Sequence, residues 1–163
     1  MQNLAITLCW LSSAALTSPA LADMQTARDA FQLGQFDKSV TELKPVANSG
    51  NAEAEFLLGS IYSLGLGRPV DETRGFEFYF RSASKGHPAA QLRLSAAYSR
   101  GAGLAAPDPM RAALWAELAA VGRADGAREQ AETLRQSLNA ADQKTLDLML
   151  QDYRTYLFPF EQQ

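Results

Sequence analysis

The glycines Gly50, Gly86 and Gly122 stand 36 residues apart, and a fixed period of about 20 to 50 residues restricts a chain to stacked-repeat architectures. The same spacing joins Ala54 to Ala90, Leu58 to Leu94, Tyr62 to Tyr98, Gly65 to Gly101 and Gly67 to Gly103. After one inserted residue the offset becomes 37, which pairs Asp71 with Asp108, Phe78 with Trp115 and Ala83 with Ala120. Coincidence does not produce so many matches, so the chain holds two copies of one unit.

Each unit reads as two short helices. Ala54, Leu58 and Tyr62 recur every four residues and mark one helical face, with Gly59 allowing a second helix to approach closely. Asp71 is a good N-cap for that second helix, which is expected to bury Phe78, Ser82 and Ala83. Asp108-Pro109 repeats the start, with Pro at the first helical position. The alternating Phe76, Phe78 and Phe80 of "GFEFYF" suit a strand, but the equivalent "RAALWAELAA" is plainly helical, and the repeat register decides for helix. Residues 23–51 read as a shorter, degenerate hairpin that turns at Gly34 and Phe36 and buries Leu43, Val46 and Ala47. Residues 124–163 hold two capping helices, the second capped by Asn139 with Asp142 three residues on, and an aromatic tail. Terminal units close the core of a solenoid and are expected to differ from the inner ones. The sequence therefore predicts an all-α superhelix of about seven or eight helices.

The stretch "AEAEFLLGSIYSLGLGRPVDETRGFEFYFRSASKG" resembles the Sel-like repeat, a relative of the tetratricopeptide repeat, through Ala54, Leu58, Gly59, Tyr62, Gly65, Gly67, Ala83 and Gly86. The second copy fits through Leu94, Tyr98, Gly101, Gly103, Asp108, Ala112, Trp115, Ala119 and Ala120. Gly75, Phe78, Ser82 and Ser95 depart from the pattern, as does a shortened stretch before Gly122. The resemblance covers residues 52–123 and implies a right-handed α-α superhelix that binds other proteins. Exported bacterial members of that family serve as adaptors, as regulators of envelope signalling, or as assembly factors. In tetratricopeptide-like stacks the first helix of each hairpin lines the concave face. Carried over, this assigns partner binding to Glu53, Phe56, Ser60, Ser63 and Leu64, and in the next unit to Ala89, Leu92, Ala96, Ser99 and Arg100. Phe56 and Leu92 would form an apolar floor, or else pack into adjacent helices.

Two further surfaces stand out. Phe76 and Phe80 share a helical face, yet their counterparts are Val40 and Lys44 before and Ala113 and Glu117 after. Core positions should recur, so these two form either an exposed aromatic patch or a contact with the neighbouring hairpin. The terminal "DYRTYLFPFEQQ" brings Tyr153, Tyr156, Phe158 and Phe160 together, as a packed cap or a docking tail.

No constellation for catalysis accompanies these features. The chain has one histidine, and its one cysteine, Cys9, lies within the opening 22 residues, so the rest of the chain has neither a Cys–His pair nor the ligands of the usual zinc sites. His87, directly before Pro88, reads as a helix cap or turn residue. Glu53, Glu55 and Glu72 fall in first turns, where negative charge suits the helix dipole. No metal and no cofactor is expected, and a formal charge of −3 gives no footprint for nucleic acid. "GLGRPVD" looks like a phosphate loop, but Val70 stands where a dinucleotide fingerprint needs glycine and the segment before it is a helix. Its return as Gly101-Ala102-Gly103 makes it an inter-helix turn, with Arg68 left over as a rim contact for an acidic partner.

All 15 basic and 18 acidic residues lie beyond residue 22. The opening "MQNLAITLCWLSSAALTSPALA" has an apolar run from Leu4 to Leu16, a helix-breaking Pro19 and the small-x-small Ala20-Leu21-Ala22, the pattern of an export signal occupying residues 1–22. An uncleaved N-terminal anchor is the alternative, although the run is shorter than the ~20 apolar residues a span needs. The reading is thus a monomeric, periplasmic or secreted binding module for a protein partner in the cell envelope. The competing classes are a carboxylate-based envelope hydrolase and a purely structural envelope component. N-terminal sequencing of exported material is expected to begin at Asp23, and a membrane-bound chain beginning at Met1 would show an anchor instead.

Overall fold

Helix boundaries follow the caps that the sequence places between apolar runs. The computed structural model describes residues 19–157, with side chains from 23 to 153. Its eight helices are α1 (Pro19–Gln32), α2 (Phe36–Asn48), α3 (Ala52–Leu64), α4 (Glu72–Ser84), α5 (Pro88–Arg100), α6 (Pro109–Val121), α7 (Ala127–Ser137) and α8 (Ala140–Leu157). No strand occurs among the described residues, and "GFEFYF" lies within α4. Pro19, expected to break a helix, lies within α1.

Each inner hairpin is closed by the same device. The Asp71 side chain accepts a hydrogen bond from the Arg74 amide, while the Asp71 amide donates to the Tyr62 carbonyl at 2.9 Å. In the next repeat Asp108 accepts from the Arg111 amide and donates to the Tyr98 carbonyl at 2.8 Å. Arg74 and Arg111 pair with their capping aspartates and lie over the Tyr62 and Tyr98 rings, at 4.9 and 5.9 Å from the centroids. One residue type per position thus caps the second helix, ties it to the end of the first and covers the tyrosine between them.

The departures from the repeat pattern compensate one another. At Gly59 a Cβ would sit 2.6 Å from the Tyr79 ring, so glycine here makes room for a large residue on α4. The next repeat reverses the sizes, with Ser95 facing α6 and the small, buried Ala116 where Tyr79 stood. Ser95 satisfies its hydroxyl by donating to the Ala112 carbonyl at 2.7 Å and accepting from Gln130 at 2.9 Å. Gly75 is explained in the same way, because a Cβ there would lie 2.6 Å from Ser63 Cβ. Ser82 donates to the Ala52 carbonyl at 2.6 Å and pins α4 to the start of α3. Phe78, expected to be buried, is half-buried and stacks on Tyr62 at 5.7 Å.

Packing is mostly between chain neighbours, and α8 returns to pack against α6. Leu43, Leu58 and Ile61 anchor one core cluster, and Leu94, Trp115 and Leu146 the other. The middle hairpin joins them, since Phe78 packs on the first cluster while Phe56 and Phe76 pack on the second.

The glycine period needs one correction. Gly50 and Gly86 each follow a C-cap and turn the chain at φ of 93° and 83°. Gly122 is itself the C-cap of α6, with φ of −72°, where a Cβ would lie 2.7 Å from Pro88. The left-handed turn falls instead on Arg123, at φ of 59°. The residue inserted before Asp108 carries forward to this turn, so glycine stands in the cap and arginine in the position that favours glycine, at a cost of about 1 kcal/mol.

Size compensation is open to test by urea denaturation. Gly59→Ser is expected to cost about 2 kcal/mol by overpacking against Tyr79, and Tyr79→Ala about 3 kcal/mol by leaving a cavity. The double variant recreates the next repeat, so its loss should be clearly smaller than the sum.

Candidate partner-binding groove

The outward stripe of α5 carries the half-buried Ala89, Leu92 and Ala96 and the exposed Ser99 and Arg100, and three depressions lie along it. The first is lined by Phe56, His87, Leu92, Arg93 and Arg123 among others. The second lies between α3, α4 and α5, with Ser63, Leu64, Phe76, Arg93, Ala96 and Arg100. The third lies between α5 and α7, with Ala96, Ser99, Arg100, Glu129, Gln130 and Leu134. Arg93 is shared by the first two and Ala96 and Arg100 by the last two, so the depressions adjoin one another as a groove along α5.

The groove begins where His87 caps α5. Its Nδ1 accepts from the Ala90 amide at 3.2 Å, and its ring stacks on Phe56 with centroids 4.9 Å apart. Burial lowers the His87 pKa from its ordinary 6.5, against the opposing pull of the Glu53 charge. The cap and the desolvation both require the neutral ring.

Eight of the ten concave-face residues expected from the sequence line this groove, and two do not. Phe56, Ser63, Leu64, Ala89, Leu92, Ala96, Ser99 and Arg100 line it, and Leu64 is 58% exposed. Glu53 turns instead to Arg28 on α1, whose Nε donates to it at 2.5 Å and whose second nitrogen also bonds it. That hydrogen bond holds the Glu53 carboxyl below its ordinary value. Ser60 is buried, accepting from the Tyr79 hydroxyl at 3.2 Å and donating to the Phe56 carbonyl at 3.1 Å. Arg93, Arg123, Gln130 and Leu134 were missed. Arg93 had a signal, since it stands seven residues before Arg100 on the same helical face; the others required knowing how α7 folds back.

The other candidate surfaces are largely occupied. Phe76 meets Tyr98 edge-on at 5.3 Å, and Phe80 meets Trp115 at 6.2 Å while staying 42% exposed. They do not recur because their space is made by a neighbour, as at Gly103, where a Cβ would lie 2.9 Å from Phe76 Cβ. Tyr153 packs on Trp115 at 5.6 Å, as a cap. The Tyr156, Phe158 and Phe160 side chains lie outside the described residues. Arg68 is not a free rim contact, since it bonds Asp37 at 2.9 Å and lies 5.1 Å from the Tyr62 centroid.

Glu55, read from the sequence as a first-turn residue, is fully buried. Lys85 donates to it at 2.5 Å, and Arg81 lies 2.8 Å away, close enough to pair though not aligned for a hydrogen bond. Among the described residues no group of three or more His, Cys, Asp or Glu could hold a metal ion. No described helix is long and apolar enough to cross a membrane.

A stack of capped helical hairpins with a groove along its first helices defines a helical-repeat scaffold. The chain belongs to the Sel1 repeat family, whose model, described as Sel1 repeat, matches residues 52–87 and 88–120. A Sel1 repeat protein from Oxalobacter formigenes is 30% identical, with a TM-score of 0.63 over 70% of this chain and 88% of that one. A protective antigen present in uropathogenic Escherichia coli strains, displaying an SLR fold, is 25% identical with a TM-score of 0.79 over 86% of this chain. This chain spans 31% of that antigen's length. No curated protein sequence matches the chain. Sel1 repeats generally serve as non-catalytic scaffolds for protein–protein interaction, and the fold is the right-handed α-α superhelix that the resemblance implied.

The cap has a pH signature. As pH falls below about 6.5 the unfolded chain takes up a proton on His87 before the folded one does, so stability drops until the lowered folded value is passed. His87→Asn keeps a cap acceptor and removes the titration. Urea denaturation at pH 7.5 and 5.5 is expected to show a smaller loss for the variant, apart from the Glu53 effect, which falls below its ordinary 4.5.

Proposed function

We propose that the protein is an exported interaction module of the cell envelope that docks a segment of a partner protein along the α3, α5 and α7 groove. The observation that carries this reading is the run of three adjoining depressions, which share lining residues from one to the next along a single helix stripe. A long open channel of this kind suits an extended polypeptide better than a small substrate. The apolar floor of Phe56 and Leu92 supplies the desolvated contact that dominates such interfaces. Export rests on the uncharged first 22 residues and their small-x-small ending. Glu53 is committed to Arg28, Glu55 to Arg81 and Lys85, and Asp71 and Asp108 to caps, while Glu72, Asp125 and Glu129 line separate depressions, so no depression of the groove holds the pair of carboxylates a hydrolase would need.

Site-specific photo-crosslinking in envelope extracts tests the reading. A photoreactive residue at Leu64 or Ser99 is expected to trap one stoichiometric partner, and one at the exposed Glu77 or Gln136 is not. Leu92→Asp should abolish the crosslink while the protein keeps its helical content. Equal trapping from all four positions would sink the groove assignment, and trapping from none would favour a purely structural component.

A further inference from the structure

The arginines with described side chains divide into two sets. Arg28, Arg68, Arg74, Arg81, Arg111 and Arg135 each hold a carboxylate. Arg93, Arg100, Arg123 and Arg128 hold none among the described residues. Three of those four line the groove, with Arg93 and Arg123 together in its first depression and Arg93 and Arg100 in its second. In a chain where acids outnumber bases, 18 to 15, unpaired arginines gathered on one face are positioned rather than incidental. Three carboxylates, Glu72, Asp125 and Glu129, also line the groove, one in each depression. In the first two depressions the arginines therefore outnumber the acids.

An independent observation concerns Arg123. It is the only described non-glycine residue with positive φ, at 59°, in the turn where the two earlier hairpins place Gly50 and Gly86. A backbone held in this region persists at functional sites, where the surroundings over-determine it. Here the strained residue lines the same depression as Phe56 and Leu92.

We infer that the groove takes an extended acidic segment of the partner protein, with carboxylates on Arg93, Arg100 and Arg123 and an apolar side chain between them over Phe56 and Leu92. The inference rests on the groove being the docking face. Arginine suits the task, since its fork binds a carboxylate through two parallel hydrogen bonds. The apolar floor favours a peptide over an anionic glycan, which has no side chain to fill it.

The test uses the purified full-length chain and labelled ten-residue peptides in which Glu alternates with Leu, together with Gln-for-Glu and Lys-for-Glu counterparts and polygalacturonate. The Glu peptide is expected to bind about tenfold or more tighter than the Gln peptide, and less tightly as salt rises. Arg123→Gly should raise the melting temperature by about 3 °C yet weaken the Glu peptide about tenfold. Reversing Arg93 and Arg123 together to Glu should transfer the preference to the Lys peptide. Equal binding of the Glu and Gln peptides overturns the inference but leaves the groove in place. Polygalacturonate bound in preference to every peptide overturns the partner class. If Arg123→Gly lowers the melting temperature or leaves affinity unchanged, the strained turn serves the fold and the inference falls. If no peptide binds and the groove positions crosslink nothing, the docking face itself is wrong.

Discussion

The hydrogen bond from the capping aspartate's amide to the tyrosine carbonyl, Asp71 to Tyr62 and Asp108 to Tyr98, is the contact on which the remaining geometry depends. A helix end leaves carbonyls without partners and a helix start leaves amides without them. Joining the end of one helix to the cap of the next satisfies both and fixes how far apart the two axes lie. The arginine three residues into the second helix then closes over the tyrosine ring. Because cap, carbonyl and cation recur at the repeat spacing, the hairpins share one shape and stack with a regular offset.

That shared shape constrains the side chains between the helices but does not dictate their sizes. Gly59 with Tyr79 and Ser95 with Ala116 fill equivalent spaces in opposite ways. Close-packed interiors tolerate exchange of volume between partners far better than a net change. The second glycine of each Gly-x-Gly step plays a similar part between hairpins. Gly67 lies against Phe36 of α2 and Gly103 against Phe76 of α4. The step resembles a phosphate loop only because both motifs need a backbone free of Cβ.

Burial within the hairpins leaves the outward stripe of α5 free to form the groove. Polar residues with strong internal partners are withdrawn from it, as with Glu53, drawn to Arg28, and Ser60, buried beneath Tyr79. Three of the four described arginines without such partners line it, and Arg123 does so through a backbone conformation that costs stability.

The repeat period, the cap residues and the helical faces were written in the chain, because each depends on residues within a few turns of one another. Sequence spacing by itself determined the two matched hairpins and the helical state of "GFEFYF", and the family resemblance pointed to eight of the residues that line the groove. Tertiary structure alone decided the pairing of Glu53, the burial of Glu55 between Arg81 and Lys85, and the seating of Phe76 and Phe80 on the next hairpin. It also decided that the third turn belongs to Arg123 and not to Gly122. These outcomes depend on which side chain from a distant helix arrives at a given position, and a one-residue insertion shifts that partner while leaving the local pattern intact.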